Sequence, residues 1–306
     1  MSAIRRILCP TDFSDGSRHA FDHALAIAQW RHAAITLFHA RAPIPVIAYA
    51  TGVPMMPSEL LTRDDRPEIL ATLKEFASRE APANARVELK IGEGHAAAEI
   101  VAAAEAARSD LIVMGSHGRS GFERFVLGSV TERVLRKAAC PVLTVPPRAP
   151  DAVPYSPVLY KHIVCAVDFS PCSLGALEHA TSLAREANAR LTVMHVIELP
   201  PSLLSGGYML AGSHSLKEYL VAAEAEAGTL LKNAVPESLR PDATVRTVVA
   251  VGRAYTEILR VAAETPTDLI VIGVQGRGAA DLLFFGSTVQ HVVRQATCPV
   301  LTLRAA

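Results

Sequence analysis

Short apolar runs rich in branched residues alternate along this chain with longer segments whose apolar positions recur every three or four residues. The first pattern predicts buried strands and the second predicts helices. In the first half the strands fall at Arg6–Thr11, Ile35–Ala40, Arg86–Ile91, Asp110–Gly115 and Pro141–Val145. Helices are predicted from about Gly16 to Arg31, Ser58 to Glu80, Ala96 to Ala107 and Val130 to Ala138, with a Pro- and Gly-bearing loop over Arg41–Pro57. The second half repeats the order, with strands at Lys161–Val167, Arg190–Val196, Thr244–Val251, Asp268–Gly273 and Pro299–Leu303. Strands alternating with helices of this length imply parallel sheets covered on both faces. Runs as continuous as Asp110–Gly115 suit central strands.

The repetition reaches individual residues. Asp110–Gly115 recurs as Asp268–Gly273, and Cys140–Val145 recurs as Cys298–Leu303, both at an offset of 158. Between Asp110–Thr144 and Asp268–Thr302, 17 of 35 positions are identical without a gap. Nearer the start the offset is 156, with Asp12-Phe13-Ser14 matching Asp168-Phe169-Ser170 and His39 matching His195. A period this long marks a duplicated domain rather than a solenoid unit. The expected organisation is one domain over 1–147, a proline-rich linker over 148–158 and a second domain over 159–306. The halves are expected to pack as an internal two-fold pair. Their last strands would meet across the axis, since each would otherwise be an exposed edge.

Composition narrows the class. Half of the 306 residues are apolar and one fifth are charged, which excludes a disordered chain. Thirty basic and thirty acidic side chains cancel, so the basic excess of a nucleic-acid binder is missing. The five cysteines show no C-x-x-C pair or zinc spacing, and Cys9, Cys140, Cys165 and Cys298 read as small buried hydrophobes of a reducing compartment. The opening residues are too weakly apolar for a signal-peptide core, and no window suits a membrane span. A soluble cytoplasmic protein is expected.

In parallel folds of this kind ligands bind at the carboxyl ends of the strands, where strand order reverses. Strand one ends at Asp12 in one half and at Asp168 in the other. Strand four leads into Gly115-x2-Gly118-x9-Gly128-Ser129 and into Gly273-x2-Gly276-x9-Gly286-Ser287. The first two glycines of each set permit a tight turn and close backbone approach. The Gly-Ser pair opens a helix whose free N–H groups and positive dipole end favour an anion. One carboxylate beside such a cradle suits a nucleotide. The competing structural reading is that the glycines only punctuate turns.

With the Asp-Phe-Ser end of strand one and the closing Cys-Pro-Val strand, this motif resembles the universal stress protein family over essentially the whole chain. The resemblance implies two tandem open parallel five-stranded sheets with helices on both faces, a Rossmann-like fold of the adenine nucleotide alpha hydrolase type. It implies binding of ATP, ADP or AMP, with Mg2+ as a candidate companion, in a sensor or regulator of metabolic state. Catalysis is expected to be at most weak; the alternative is a slow ATPase or a nucleotidyl-transfer enzyme. Carried over, the adenosine end falls to Asp12 and Ala40, and the phosphates to Gly115, Gly118, Arg119, Gly128 and Ser129. The matching set is Asp168, Val196, Gly273, Gly276, Arg277, Gly286 and Ser287. A protein partner or homodimerisation accords with a regulator. The copies differ, since Arg124 becomes Leu282 and His117 becomes Gln275. The first loop is therefore the better host for a triphosphate.

Other signals carry less. Gly92-Glu93-Gly94 followed by Ala97 formally fits a dinucleotide fingerprint, but it follows strand three rather than strand one. No Gly-Lys pair supports a Walker A loop. His39 and His195 read as packed residues. His19 and His23, four apart on a helix, lack a third metal ligand. Cys172, at a helix start, reads as a surface thiol.

Overall fold

A computed structural model describes residues 4–42, 64–82, 85–117, 127–147, 160–199, 214–236, 244–275 and 286–304. The first half runs β1 (Arg6–Pro10), α1 (Asp15–Arg31), β2 (Ala34–Arg41), α2 (Arg66–Glu80), β3 (Val87–Glu93), α3 (Ala96–Ala106), β4 (Leu111–Gly115), α4 (Ser129–Lys137) and β5 (Val142–Val145). The second runs β6 (His162–Ala166), α5 (Pro171–Ala187), β7 (Arg190–Ile197), α6 (His214–Ala234), β8 (Val245–Val251), α7 (Ala254–Glu264), β9 (Leu269–Gly273), α8 (Ser287–Gln295) and β10 (Val300–Leu303). The predicted start of the second helix at Ser58 and the linker at 148–158 lie outside the described residues.

Local chemistry explains the helix starts that matter here. Ser14 caps α1 by accepting from the Ser17 amide, and Ser170 caps α5 by accepting from the Ser173 amide. Pro171 follows at the first turn of α5, where its missing N–H costs nothing. Both helices stop at a left-handed residue, His32 at φ 54° and Asn188 at φ 52°.

Within each half the strands run parallel in the order 3-2-1-4-5, so the sheet reverses direction of growth between strands one and four. The two halves do not form separate sheets. β5 and β10 pair antiparallel and join them into one ten-stranded sheet, as the exposed edges led one to expect. Leu143 faces Leu301, its own counterpart, and Thr144 faces Val300 just as Val142 faces Thr302. The internal two-fold thus passes through the leucine pair. The Thr144 hydroxyl donates to the Val300 carbonyl and the Thr302 hydroxyl to the Val142 carbonyl, at 3.2 and 3.1 Å.

Alternating side chains feed two cores. Ile7, Cys9, Leu37, Leu111 and Leu143 bury one face with α1 and α2 residues such as Phe21 and Leu73. Leu8, Phe38, Ile112 and Val142 bury the other with Ile100, Val134 and Leu135 from α3 and α4. Across the seam Arg31 pairs with Glu186 and lies 4.2 Å over the Trp30 ring. Among the described residues no helix is long and apolar enough to cross a membrane.

Candidate functional site

The crevice at the β1/β4 reversal has a traceable origin. The Thr11 amide donates to the Phe38 carbonyl of β2 at 2.8 Å, so position 10, one residue earlier, turns its nitrogen toward β4. Pro10 has no hydrogen to donate there. The β1–β4 ladder accordingly pairs only Ile7 with Leu111 and Leu8 with Ile112, while β1–β2 continues to Pro10. At these strand ends lies a cavity of about 320 Å3, lined by Pro10 and Asp12 after β1 and by Met114 and Gly115 of β4. That volume lies at the low end of the range for small-molecule sites, about 300–1,000 Å3.

Asp12 lines this cavity. Its Oδ1 accepts from the Ser14 amide at 3.1 Å and from the Ser14 hydroxyl. The same serine caps α1, so the carboxylate is tied to a helix start. Phe13 between them adopts φ 65°, in the left-handed region that costs a bulky residue about 1–3 kcal/mol. Three contacts hold it. Its amide donates to the Thr11 hydroxyl at 3.0 Å, its ring stacks on His39 at 4.6 Å, and it meets Phe76 edge-on at 5.9 Å. His39 Nδ1 lies 2.8 Å from the Thr11 carbonyl. The expected packed histidine is therefore also a strut under the strand-one turn.

The start of α4 lines the cavity as well. Gly128 is the helix N-cap and brings no side chain of its own to cap it, and the first-turn amides have no intrahelical acceptor. Ser129 begins the helix, one residue earlier than predicted. The Thr131 hydroxyl donates to the Gly115 carbonyl at 2.9 Å and pins α4 to the end of β4. The walls between are apolar, with Ile100 and Met114 beside Ala40. Sequence reasoning missed Pro10, Ile100, Met114 and Thr131. Of these only Pro10, a proline inside a central strand pattern, carries a readable signal.

Gly115 has a packing reason. A Cβ there would lie 3.1 Å from the carbonyl oxygens of both Gly16 and His117. Its glycine therefore lets the first turn of α1 close onto the strand end. The second half keeps the frame. Asp168 Oδ1 accepts from the Ser170 amide at 3.0 Å, Phe169 adopts φ 62°, and its ring sits 4.7 Å from His195. His195 Nδ1 is 2.7 Å from the Val167 carbonyl. Val196, the last residue but one of β7, is half-buried, and Gly286 caps α8 ahead of Ser287. A Cβ on Gly273 would meet Cys172 and the Ser173 amide at 3.0 Å. Gly118, Arg119, Gly276 and Arg277, together with Arg124 and Leu282, lie outside the described residues.

The remaining signals resolve. Gly94 and Gly252 both hold φ near +150°, at 150° and 154°, on the way into α3 and α7. The Gly92–Gly94 motif is thus a backbone turn. His19 bonds the Pro146 carbonyl at 3.0 Å, and among the described residues no three His, Cys, Asp or Glu gather as a metal group. Cys172 is not a surface thiol. It is 3 % exposed, and its Sγ donates to the Leu303 carbonyl at 3.1 Å. Burial pushes the Cys140 thiol up to about 11 and the Cys298 thiol up to about 12, which leaves both unreactive as thiolates near neutrality.

His117 edges the cavity with its Nδ1 2.8 Å from the Ser116 hydroxyl. Burial, and then the charge of Arg294, hold it below the usual imidazole range. Burial does the same for His162 on β6, whose Nε2 is 2.9 Å from the Thr192 hydroxyl. The unfolded chain binds protons at both sites near pH 6.5, where the folded chain still resists them. Their contribution to stability is present above that pH and is lost as pH falls through the depressed folded values. Thermal unfolding followed by circular dichroism should show a melting temperature that drops from pH 7.5 to 5.5. His117→Gln, the residue found at position 275, should flatten part of that drop; an unchanged slope in both His117→Gln and His162→Gln would contradict the assignment.

The fold agrees with that of known proteins. The family model of the universal stress protein family matches residues 3–146 and 159–304. A universal stress protein of Methanocaldococcus jannaschii is 39% identical over 142 residues, covering 46% of this chain and 81% of that protein. One from Mycolicibacterium smegmatis is 27% identical over 305 residues, covering 97% of this chain and 96% of that protein. One from Mycobacterium tuberculosis is 29% identical over 202 residues, which span 64% of this chain and 62% of that protein. The crystal structure of a universal stress protein from Archaeoglobus fulgidus superposes with a TM-score of 0.65 at 20% identity over 100% of both chains, a likeness of fold. The duplicated family match and the shared architecture together establish that this chain belongs to the universal stress protein family.

Proposed function

We propose that this protein binds ATP or a related adenine nucleotide and acts as a nucleotide-dependent regulator in the cytoplasm. The observation that carries the reading is the polarity of the first cleft. An acceptor carboxylate, Asp12, and the start of α4 at Gly128 and Ser129 line it together with the apolar side chains of Ile100 and Met114. A ribose hydroxyl is a donor that Asp12 can accept, a purine is a flat apolar body, and phosphates suit helix-start amides and the Ser129 hydroxyl. Mg2+ usually rides on phosphate oxygens with few protein ligands, so it would enter with the nucleotide. The Ser14 bonds to Asp12 Oδ1 favour a holding role over proton abstraction, so turnover is expected to be slow. Partner proteins would then read occupancy rather than product.

Calorimetric titration with ATP, with GTP as the control for base identity, tests the reading. A hydrogen bond to a charged group contributes about 1.5–3 kcal/mol. Asp12→Ala should therefore weaken ATP binding by about ten- to a hundredfold. No binding by the intact protein at millimolar ATP overturns the proposed function, and unchanged affinity in Asp12→Ala overturns the assigned cleft.

A further inference from the structure

The antiparallel seam brings part of the second half to the first cleft. α4 joins β4 to β5 and α8 joins β9 to β10, and each of these strand pairs is parallel. Each helix therefore starts at the carboxyl strand ends of its own half and finishes at the amino ends. Because β5 and β10 pair antiparallel, the amino end of one half lies level with the carboxyl end of the other. The last turn of each helix thus comes to the place where the other half's strands end. At one end of the seam the meeting is direct: the Arg304 guanidinium, just past β10, donates to the Arg136 carbonyl in the last turn of α4. At the other end Arg294, in the last turn of α8, comes to His117 at the rim of the first cleft. Its charge, second to burial, holds that imidazole below the usual range.

The two meetings differ in charge. Arg136 pairs with Glu132, one turn earlier on α4, at 2.8 Å. Gln290 stands in place of Glu132 on α8, and from Ser287 to Gln295 that helix bears no carboxylate. Arg294 is exposed, and no acid on its own helix neutralises it. His117, which feels this charge, lines the same cavity as Gly128 and Ser129 at the start of α4. A cation from one half and a helix start from the other therefore serve one rim.

Resting on the nucleotide reading above, we infer that Arg294 binds the terminal phosphates of a nucleotide held in the first cleft, so that the second half completes the first half's site across the seam. A guanidinium suits phosphate oxygens because its paired N–H groups match their geometry. Asp12 and the apolar wall hold the adenosine end, and Arg294 reads how long the charged tail is. It is a specificity residue that separates ATP from AMP and leaves the base alone. The fused second half then contributes a side chain to the site as well as a strand to the sheet.

NMR of the histidine ring protons in the full chain follows the His117 imidazole, with His117→Gln identifying its signal. That signal reads the first cleft alone, because Gln275 stands at the matching place in the second half. Without nucleotide, Arg294→Gln should raise the pH at which His117 titrates, since a nearby cation disfavours the imidazolium. With nucleotide, the same variant should weaken ATP binding about tenfold at low salt, the order of one charge-assisted hydrogen bond, and by less as salt screens the pair. AMP binding should stay unchanged. Arg294→Lys should recover most of the ATP affinity, and Arg136→Gln, at the far end of the seam, should leave the first cleft unaltered. An unmoved His117 titration in Arg294→Gln overturns the placement of Arg294 at the rim. Undiminished ATP affinity in that variant, or an equal loss for AMP or in Arg136→Gln, overturns its role at the phosphates while nucleotide binding stands. No ATP binding by the intact chain overturns the nucleotide reading itself, and this inference with it.

Discussion

Replacing Leu143 by alanine is expected to destabilise the protein by about 3 kcal/mol, within the usual span for a buried leucine truncated to alanine. Leu143 is 2 % exposed and faces Leu301, itself 7 % exposed, on the internal two-fold axis. It packs in the core shared by α1 and α5, so neither half can close the resulting void alone. The backbone there is held by only three facing pairs, Val142–Thr302, Leu143–Leu301 and Thr144–Val300. Urea unfolding should show the midpoint shift. Leu301→Ala should cost a similar amount, and the double variant should depart from additivity because the two side chains meet. A loss below about 1 kcal/mol would mean that the seam contributes little to the core. Strict additivity would mean that the pair does not act as one contact.

Gly115→Val is expected to cost about 2–3 kcal/mol through overpacking against backbone that has nowhere to move. The first new atom lies 3.1 Å from two carbonyl oxygens, and valine adds two methyl groups in the same space. One of those carbonyls belongs to Gly16 in α1 and the other to His117 at the cavity rim, so the strain falls on both walls of the cleft. Chemical denaturation measures the loss. Gly175→Ala is the control: no atom lies within 4 Å of its would-be Cβ, and it sits inside α5. That substitution should stabilise by about 0.5–1 kcal/mol, the helix-propensity gain of alanine over glycine. Equal tolerance of both substitutions would remove the close approach of α1 to β4 as the reason for Gly115.

The family and the fold were open to sequence reading because both rest on periodic burial and on a repeat. Leu111–Gly115 and Leu269–Gly273 are apolar throughout since β4 and β9 are covered on both faces, and all five residues of each strand are buried. Asp12, Gly128 and Ser129 were legible for a related reason: strand ends and helix starts are local events with local residue preferences. Cys172 was misread because nothing local distinguishes a thiol facing solvent from one turned onto the Leu303 carbonyl, 131 positions away. Ile100 and Met114 were equally silent. Their roles come from which strand and helix happen to meet.

The amino-acid sequence by itself determined the two copies, the strand and helix order and the residues at each strand end, because hydrogen-bond periodicity and capping act within a few positions. Tertiary structure decided that the two sheets become one, since edge pairing depends on β5 and β10 arriving side by side. It also decided that Pro10 turns its hydrogen-free nitrogen toward β4 and ends that ladder early, while its counterpart Ala166 continues the ladder with β9. Which way a backbone nitrogen faces is set by the neighbouring strand, and only the assembled sheet supplies that neighbour.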